Sequence, residues 1–266
     1  MDKAGKNYWD NNWSNNDIPK VIDHREQSLD NYVNRRFHQY FSKLFTKMEA
    51  KNKSLLEIGC ARSVWLPYFN REFGLTVSGI DYSEIGCHQA RIILSNSGVN
   101  GNVICSDFFT PPDFLVNCFD VVISFGVVEH FENTQACLSA FAKFLQVNGI
   151  IITIIPNVVG SIGLLQKIFD RATYQVHVPL DKKALSTVHH LAGFNIIECK
   201  YFLPTNFGVI NVENLDKALL RTRIIKYIQR NLSRTSKLIN LIDERMINLP
   251  ESSLFSPYII CVAQKK

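Results

Sequence analysis

The chain opens on a polar stretch without apolar rhythm and then settles into alternating strand and helix patterns. Tyr8, Trp9 and Trp13 stand in the opening stretch among asparagines and charged residues. Aromatics so placed pack back onto a body, either stapling the arm down or covering a pocket. Over residues 28–48, Leu29, Val33, Phe37, Tyr40, Phe41, Leu44 and Phe45 recur every three to four positions, which predicts an amphipathic helix. Residues 55–58 are a short apolar run, ended by Gly59. Residues 64–73 carry one apolar helical face, and 75–80 read as the next strand. Ser83 is placed to cap a helix that runs to about Ser97, where Gly98 can stop it. Residues 102–106 read as a third strand. FDVVISF, at 119–125, is almost continuously apolar, as a parallel strand buried on both faces must be. A helix over 134–147 and a strand over 150–155 follow. Beyond them come a short apolar helix at 164–169, an extended loop at 174–180, a helix from Asp181 to about Ala192, and strands at 194–202 and 256–262.

Strands alternating with helices in this way predict an α/β protein with a largely parallel sheet. Open sheets of that kind bind ligands at the carboxyl ends of their strands. At 266 residues and 46% hydrophobic content the chain suits one such domain with elaborations, or two small ones. No run approaches the roughly 18 apolar residues that span a bilayer. The N-terminus lacks the apolar region of a secretory signal. The seven cysteines are scattered, with no C-x-x-C pair and no histidine at ligand spacing. They read as free thiols of a reducing cytosol rather than disulfides, so a cytoplasmic location and no metal site are expected.

The candidate chemistry centres on residues 55–84. Gly59 lets the backbone turn sharply or a ligand approach closely. Asp81 lies 22 residues further on, where an ionised acid can accept from both hydroxyls of a ribose. The dinucleotide fingerprint G-x-G-x-x-G is not met, since Ala61 and Val64 stand at its later glycines, and a branched residue there argues against NAD or FAD. Asp107-Phe108, at the end of the third strand, offers an acceptor for an exocyclic amine and a ring to stack on, which suits adenine.

Glu57-Ile58-Gly59-Cys60-Ala61-Arg62-Ser63 resembles the first motif of the class I S-adenosylmethionine-dependent methyltransferases, with Ala61 and Ser63 where that motif has glycine. Asp81-Tyr82-Ser83-Glu84, Ser106-Asp107-Phe108, Phe119-Asp120-Val121-Val122 to Glu129-His130, and Gly149-Ile150-Ile151 resemble its later motifs, in order and at the usual spacing. The resemblance covers roughly residues 53–156 and is similar in tone to the small-molecule branch. It implies a Rossmann-like, seven-stranded, mostly parallel sheet with helices on both faces and an antiparallel last strand. It implies S-adenosyl-L-methionine as cofactor and S-adenosyl-L-homocysteine as product, with in-line transfer of the methyl. Position by position, it places Glu57 near the cofactor's amine and Gly59 against its methionine end, with Cys60, Ala61 and Tyr82 among the further cofactor-binding residues. Asp81 falls at the ribose, Asp107 and Phe108 at the adenine, and Phe125 and Gly126 beside the methyl.

Three segments follow: 1–53, an arm and helix over the active site; 54–206 with 256–266, the cofactor-binding domain; and 207–255, a helical basic insertion before the last strand. In the insertion, residues 217–237 hold seven basic residues and no acid, and Leu220, Ile224, Ile228 and Leu232 recur every four. That is one helix or two, with an apolar and a basic face. Its charges are either solvated, a lid over an anionic substrate, or a docking surface for membrane or RNA; no DNA partner is expected. The acceptor site is expected to draw on Tyr8, Trp9, Trp13 and Arg36. His130 and His177 are the candidate general bases, with structural roles open to both. His189 and His190 read as structural. The function expected is methyl transfer to a small molecule. Transfer to protein or RNA, and a cofactor fold reduced to a binding module, are the alternatives.

Overall fold

A computed structural model describes residues 1–14, 17–213, 215–216 and 219–266, so Lys217 of the basic run lies outside the described residues. In chain order the elements are α1 (Lys6–Ser14), α2 (Tyr32–Lys47), β1 (Ser54–Ile58), α3 (Trp65–Phe73), β2 (Thr76–Asp81), α4 (Glu84–Asn96), β3 (Asn102–Cys105) and β4 (Phe119–Phe125). They continue with α5 (Thr134–Ala142), β5 (Leu145–Pro156), α6 (Ser161–Phe169), α7 (Arg171–Gln175), α8 (Lys182–Leu191), β6 (Phe194–Phe202), α9 (Leu220–Arg245) and β7 (Tyr258–Lys265). The strands form one sheet in the order β3-β2-β1-β4-β5-β7-β6. Neighbours from β3 to β5 are parallel, and β7 runs antiparallel to both β5 and β6. This is the Rossmann-like α/β architecture expected, with α9 preceding the last strand.

The period-2 geometry of a strand sends successive side chains to opposite faces. Ile150, Ile152 and Ile154 therefore enter a core with Phe37, Phe41 and Phe45 of α2 and Phe69 of α3. Ile151 and Ile155 enter another with Leu138 and Phe141 of α5 and Leu185 of α8. Each such buried side chain contributes roughly 1.5–3 kcal/mol. Apolar residues on both faces are why the central strands read as unbroken apolar runs. No helix among the described residues is long and apolar enough to cross a membrane.

Two elements differ from the sequence reading. The helix expected over 134–147 stops at Ala142. Phe141, Phe144 and Leu145 keep helical spacing, but the Lys143 carbonyl accepts from Asn117 N–H and the Phe144 carbonyl from Cys118 and Phe119 N–H, so this backbone joins the entry to β4. Leu145 then pairs with Phe119, which extends β5 backwards. The opening arm, in turn, contains a helix. Trp9 and Trp13 of α1 are one turn apart and stack at 5.4 Å. The arm is tied to the sheet's carboxyl edge: Tyr82 Oη donates to Asp2 (2.9 Å), Ser83 Oγ to Asp10 (2.5 Å), and the Gln89 amide to the Trp13 carbonyl (3.1 Å).

Candidate active site

The turn after β1 is held by close approach. Gly59 has φ +78°, and a Cβ there would lie 2.4 Å from Val127 Cγ2. Ala61 N–H donates to Asp81 Oδ2 at 3.2 Å. Ser63 Oγ donates to Glu57 and accepts from the N–H groups of Trp65 and Leu66 at 3.1 Å each. The serine thus fixes the β1 carboxylate against the start of α3, a task a glycine could not perform.

These residues open onto a cavity of about 290 Å³. Glu57, Gly59, Ala61, Asp81, Tyr82, Phe108, Phe125 and Gly126 all line it, as the motifs imply. Two expected residues do not. The Cys60 side chain is fully buried in the core and packs against Gly79. Asp107 is exposed, its Oδ1 accepting from Phe109 N–H at 2.9 Å. Sequence reasoning missed Asp2, Arg62, Ser63 and Phe131, which also line the cavity. Phe131 directly follows the Glu129-His130 pair and meets the Phe108 ring edge-on at 5.4 Å. Nothing in the spacing points to Asp2.

The cavity combines three carboxylates, of Asp2, Glu57 and Asp81, with a turn where only glycine fits and facing aromatic rings. That suits a ligand with an ammonium, vicinal hydroxyls and a flat heterocycle. Burial pushes Glu57 up to about 8, opposed by the Ser63 hydroxyl. Burial also pushes Asp81, largely buried at the cavity edge, up to about 6, opposed by the N–H groups of Ser83 and Ala61. Both acids therefore gain from a cation or hydroxyl donor that favours their ionised forms.

A second, polar chamber of about 1180 Å³ adjoins the first, and Trp9, Trp13, Arg62 and His130 border both. Tyr8 and His177 line the chamber alone, with Lys226 of α9 on another wall. The His130 and His177 rings lie 4.7 Å apart, and the edge of Trp9 meets His130 at 5.1 Å. His130 Nδ1 bonds the Val176 carbonyl (2.9 Å) and His177 Nδ1 the Thr173 carbonyl (2.8 Å). A carbonyl only accepts, so each Nδ1 carries the hydrogen and the neutral ring keeps a lone pair on Nε2. Burial and the neighbouring His177 lower His130 to about 4, and burial lowers His177 as well. His189 is buried and bonded to Thr153 Oγ1 at 2.9 Å, away from both cavities.

Arg36 is a correction. It reaches neither cavity, because Asp243 of α9 takes it at 2.8 Å, while Arg35 grips Glu244 at 2.6 and 2.8 Å. These acids lie more than 200 residues away in sequence, beyond the reach of local pattern.

Two side-chain groups among the described residues could hold a metal ion: Glu129 with His130 and His177, and His24 with His38 and Glu72. In the second, Glu72 is already held by Arg25 through two 3.0 Å bonds and the histidines stack at 3.4 Å. In the first, neither oxygen of Glu129 has a partner beyond its own backbone N–H, and burial pushes this acid up to about 8. An acid that folding raises is favourable while protonated, so its contribution is complete below about pH 4.5 and is lost as pH rises to about 8. Glu129→Gln is therefore expected to raise the melting temperature at pH 8–9 and leave it nearly unchanged at pH 4, the difference reaching roughly 5 kcal/mol at most. Thermal unfolding across that range checks it, and a uniform shift at all pH values would count against a neutral Glu129.

A family model described as a methyltransferase domain matches residues 27–199, more than half of the chain. The chain belongs to the class I S-adenosylmethionine-dependent methyltransferases. Their methyl donor, S-adenosylmethionine, matches in its ammonium, ribose and adenine the donor set of the smaller cavity. The methyltransferase fold is shared with solved structures at low identity. An S-adenosylmethionine-dependent methyltransferase from Archaeoglobus fulgidus is 20% identical, with TM-score 0.54 over 90% of this chain and 95% of its own. Geranyl diphosphate C-methyltransferase from Streptomyces coelicolor A3(2) is 12% identical, with TM-score 0.60 over 96% and 95%. The [4+2]-cyclase SpnF is 14% identical, with TM-score 0.59 over 100% and 96%. A cyclase among these neighbours shows that the fold alone does not fix the chemistry. A search of curated proteins finds no match to this methyltransferase.

Proposed function

We propose that this methyltransferase transfers the methyl group to a small acceptor held in the polar chamber, with His130 or His177 taking the acceptor's proton. The observation that carries this reading is the junction of the two cavities at His130, with His177 beside it in the chamber wall and the Nδ1 of each ring bonded to a carbonyl. Bound S-adenosylmethionine supplies a methyl group already activated on a sulfonium. The chain's own work is to place and desolvate the acceptor and to hold a base beside it. Trp9 and Trp13 wall the chamber from the arm side, and His177 and Lys226 from the substrate half. A chamber walled by an arm helix suits a small molecule better than a protein or RNA segment. A neighbour of the same fold is complexed with geranyl diphosphate, so the architecture accommodates small acceptors.

Incubating the protein with methyl-labelled donor and a cell extract, then separating small molecules, lipids, protein and RNA, tests the reading. Label is expected in the small-molecule or lipid fraction. Label confined to protein or RNA would overturn it. With the acceptor in hand, His130→Asn or His177→Asn is expected to lower turnover about 10²–10⁴-fold and leave product affinity unchanged. Because His130 sits at about 4, the wild-type turnover at saturating donor is expected to be flat above about pH 5 and to fall below about 4. The same two histidines, with Glu129, could ligate a cation instead. Turnover that survives EDTA supports the base, whereas loss restored by Mn²⁺ would replace it with a metal centre.

A further inference from the structure

Helix α9 packs one face against the body and turns a set of large apolar residues outward near both of its ends. At 100° per residue, Thr222, Ser236, Asn240 and Asp243 fall on the face packed against the body, beside Ile225, and all are buried. The opposite face carries Leu220, Ile224, Tyr227, Leu238 and Ile242, with Leu220 71% exposed, Tyr227 69% and Leu238 62%. The inner face is held by Ile225 and Leu232, which pack with Ile162, Phe169 and Ile210, and by polar bonds. Tyr32 Oη donates to Asp243 at 2.5 Å, Arg36 and Arg35 pair with Asp243 and Glu244, and Phe207 N–H donates to Ser236 Oγ at 2.8 Å. The outward apolar set is thus not what fastens the helix to the protein. Asn231, Arg234 and Thr235 divide this face into two apolar patches, one at 220–228 and one at 238–242. Apolar area left in water costs about 25 cal/mol per Å² relative to burial, and clustered patches of it mark an interaction surface.

The rim says what covers the patches. Arg221, Arg223, Arg230 and Arg234 are exposed beside them, and no acid occurs between positions 219 and 242. Apolar residues in the headgroup boundary with arginines beside them are how a helix lies on an anionic bilayer. A second copy would bring two rows of arginines together. Nucleic acid would use the arginines and leave the leucines and isoleucines unexplained.

We propose that α9 docks this protein on an anionic membrane surface, its apolar patches entering the headgroup boundary and its arginines meeting lipid phosphates. Lys226 of the same helix lines the polar chamber, and Val209, in the turn that packs on α9, lines it too. Docking therefore brings a wall of the chamber to the bilayer and selects an amphiphilic acceptor whose polar head enters the chamber. That last step rests on the proposed function; the docking does not.

The full chain is sedimented with vesicles of phosphatidylcholine alone and of phosphatidylcholine with phosphatidylglycerol. Binding is expected to the second only, weakening with salt, and about five-fold weaker for each of Arg230→Gln and Arg234→Gln. The pair Ile224→Glu and Tyr227→Glu, both on exposed positions, is expected to abolish sedimentation while cooperative thermal unfolding stays at the wild-type temperature. Absence of sedimentation by the folded wild type, or sedimentation indifferent to the glutamate pair, would overturn the proposal. So would wild-type self-association that the glutamate pair abolishes, which would assign the patches to a second copy. Sedimentation by a protein that transfers no methyl group would leave docking standing and remove the proposed function.

Discussion

Asp81→Ala is expected to weaken binding of S-adenosylhomocysteine about 10²–10⁴-fold. A carboxylate accepting two ribose hydroxyls makes two charge-assisted bonds worth roughly 1.5–3 kcal/mol each. The alanine also strands the N–H groups of Ala61 and Ser83, which Asp81 now satisfies at 3.2 and 2.7 Å, so the turn loosens as the ligand's partner is lost. Asp81→Asn separates the two effects, because it keeps an acceptor but no charge, and its affinity is expected between the others. The pH dependence has a definite sign. Without ligand, Asp81 sits at about 6 and Glu57 at about 8, and hydroxyl or ammonium donors favour the ionised forms. Affinity is therefore expected to rise from about pH 5 to 8 with release of protons, and Asp81→Asn should remove the lower part of that rise. Calorimetry in buffers of different ionisation enthalpy measures both. Wild-type affinity for the alanine variant would take the ribose role away from Asp81.

The second large effect is Gly59→Ala. A side chain in the left-handed region costs about 1–2 kcal/mol, and a Cβ 2.4 Å from Val127 Cγ2 adds an overpacking cost of about 1–3 kcal/mol. Val127 lines the cofactor cavity, so its displacement also narrows the space the ligand needs. Stability is expected to fall by roughly 2–5 kcal/mol, with product binding lost to calorimetry. Adding Val127→Ala should return the steric share and leave the backbone share, so the two substitutions should be less than additive. Strict additivity in denaturant melts would clear Val127 of the clash.

What the amino-acid order made legible was local. The fourth strand was read residue for residue at 119–125, because a strand buried on both faces is apolar along most of its length. Ser83 and Asp181 cap their helices as read, since capping needs only the N–H three residues on. The gathering of Glu57, Gly59, Asp81 and Phe108 round one cavity followed from motifs lying at consecutive strand ends. What stayed hidden depends on contacts between distant segments. Arg36 was assigned to a substrate and is held by an aspartate of α9. Cys60 stood inside the motif, but its side chain turns into the core. Asp2 reaches the cavity because Tyr82 binds it from across the chain. The outward side of α9 was hidden as well. Periodicity reports that a helix has two faces, and only the packed structure shows which one is turned to water.

The place of β7 in the sheet bears on how the chain is made. This strand is synthesised after the other six, yet it lies between two of them, β5 and β6. A growing polypeptide that has emerged only through β6 exposes one bare edge of β5, along Ile150 to Ile155, and gives β6 no partner. Completion of the sheet waits until α9 and its flanking residues have passed out of the ribosome. During that interval a chaperone, or a strand from a neighbouring nascent chain, competes for the same edge.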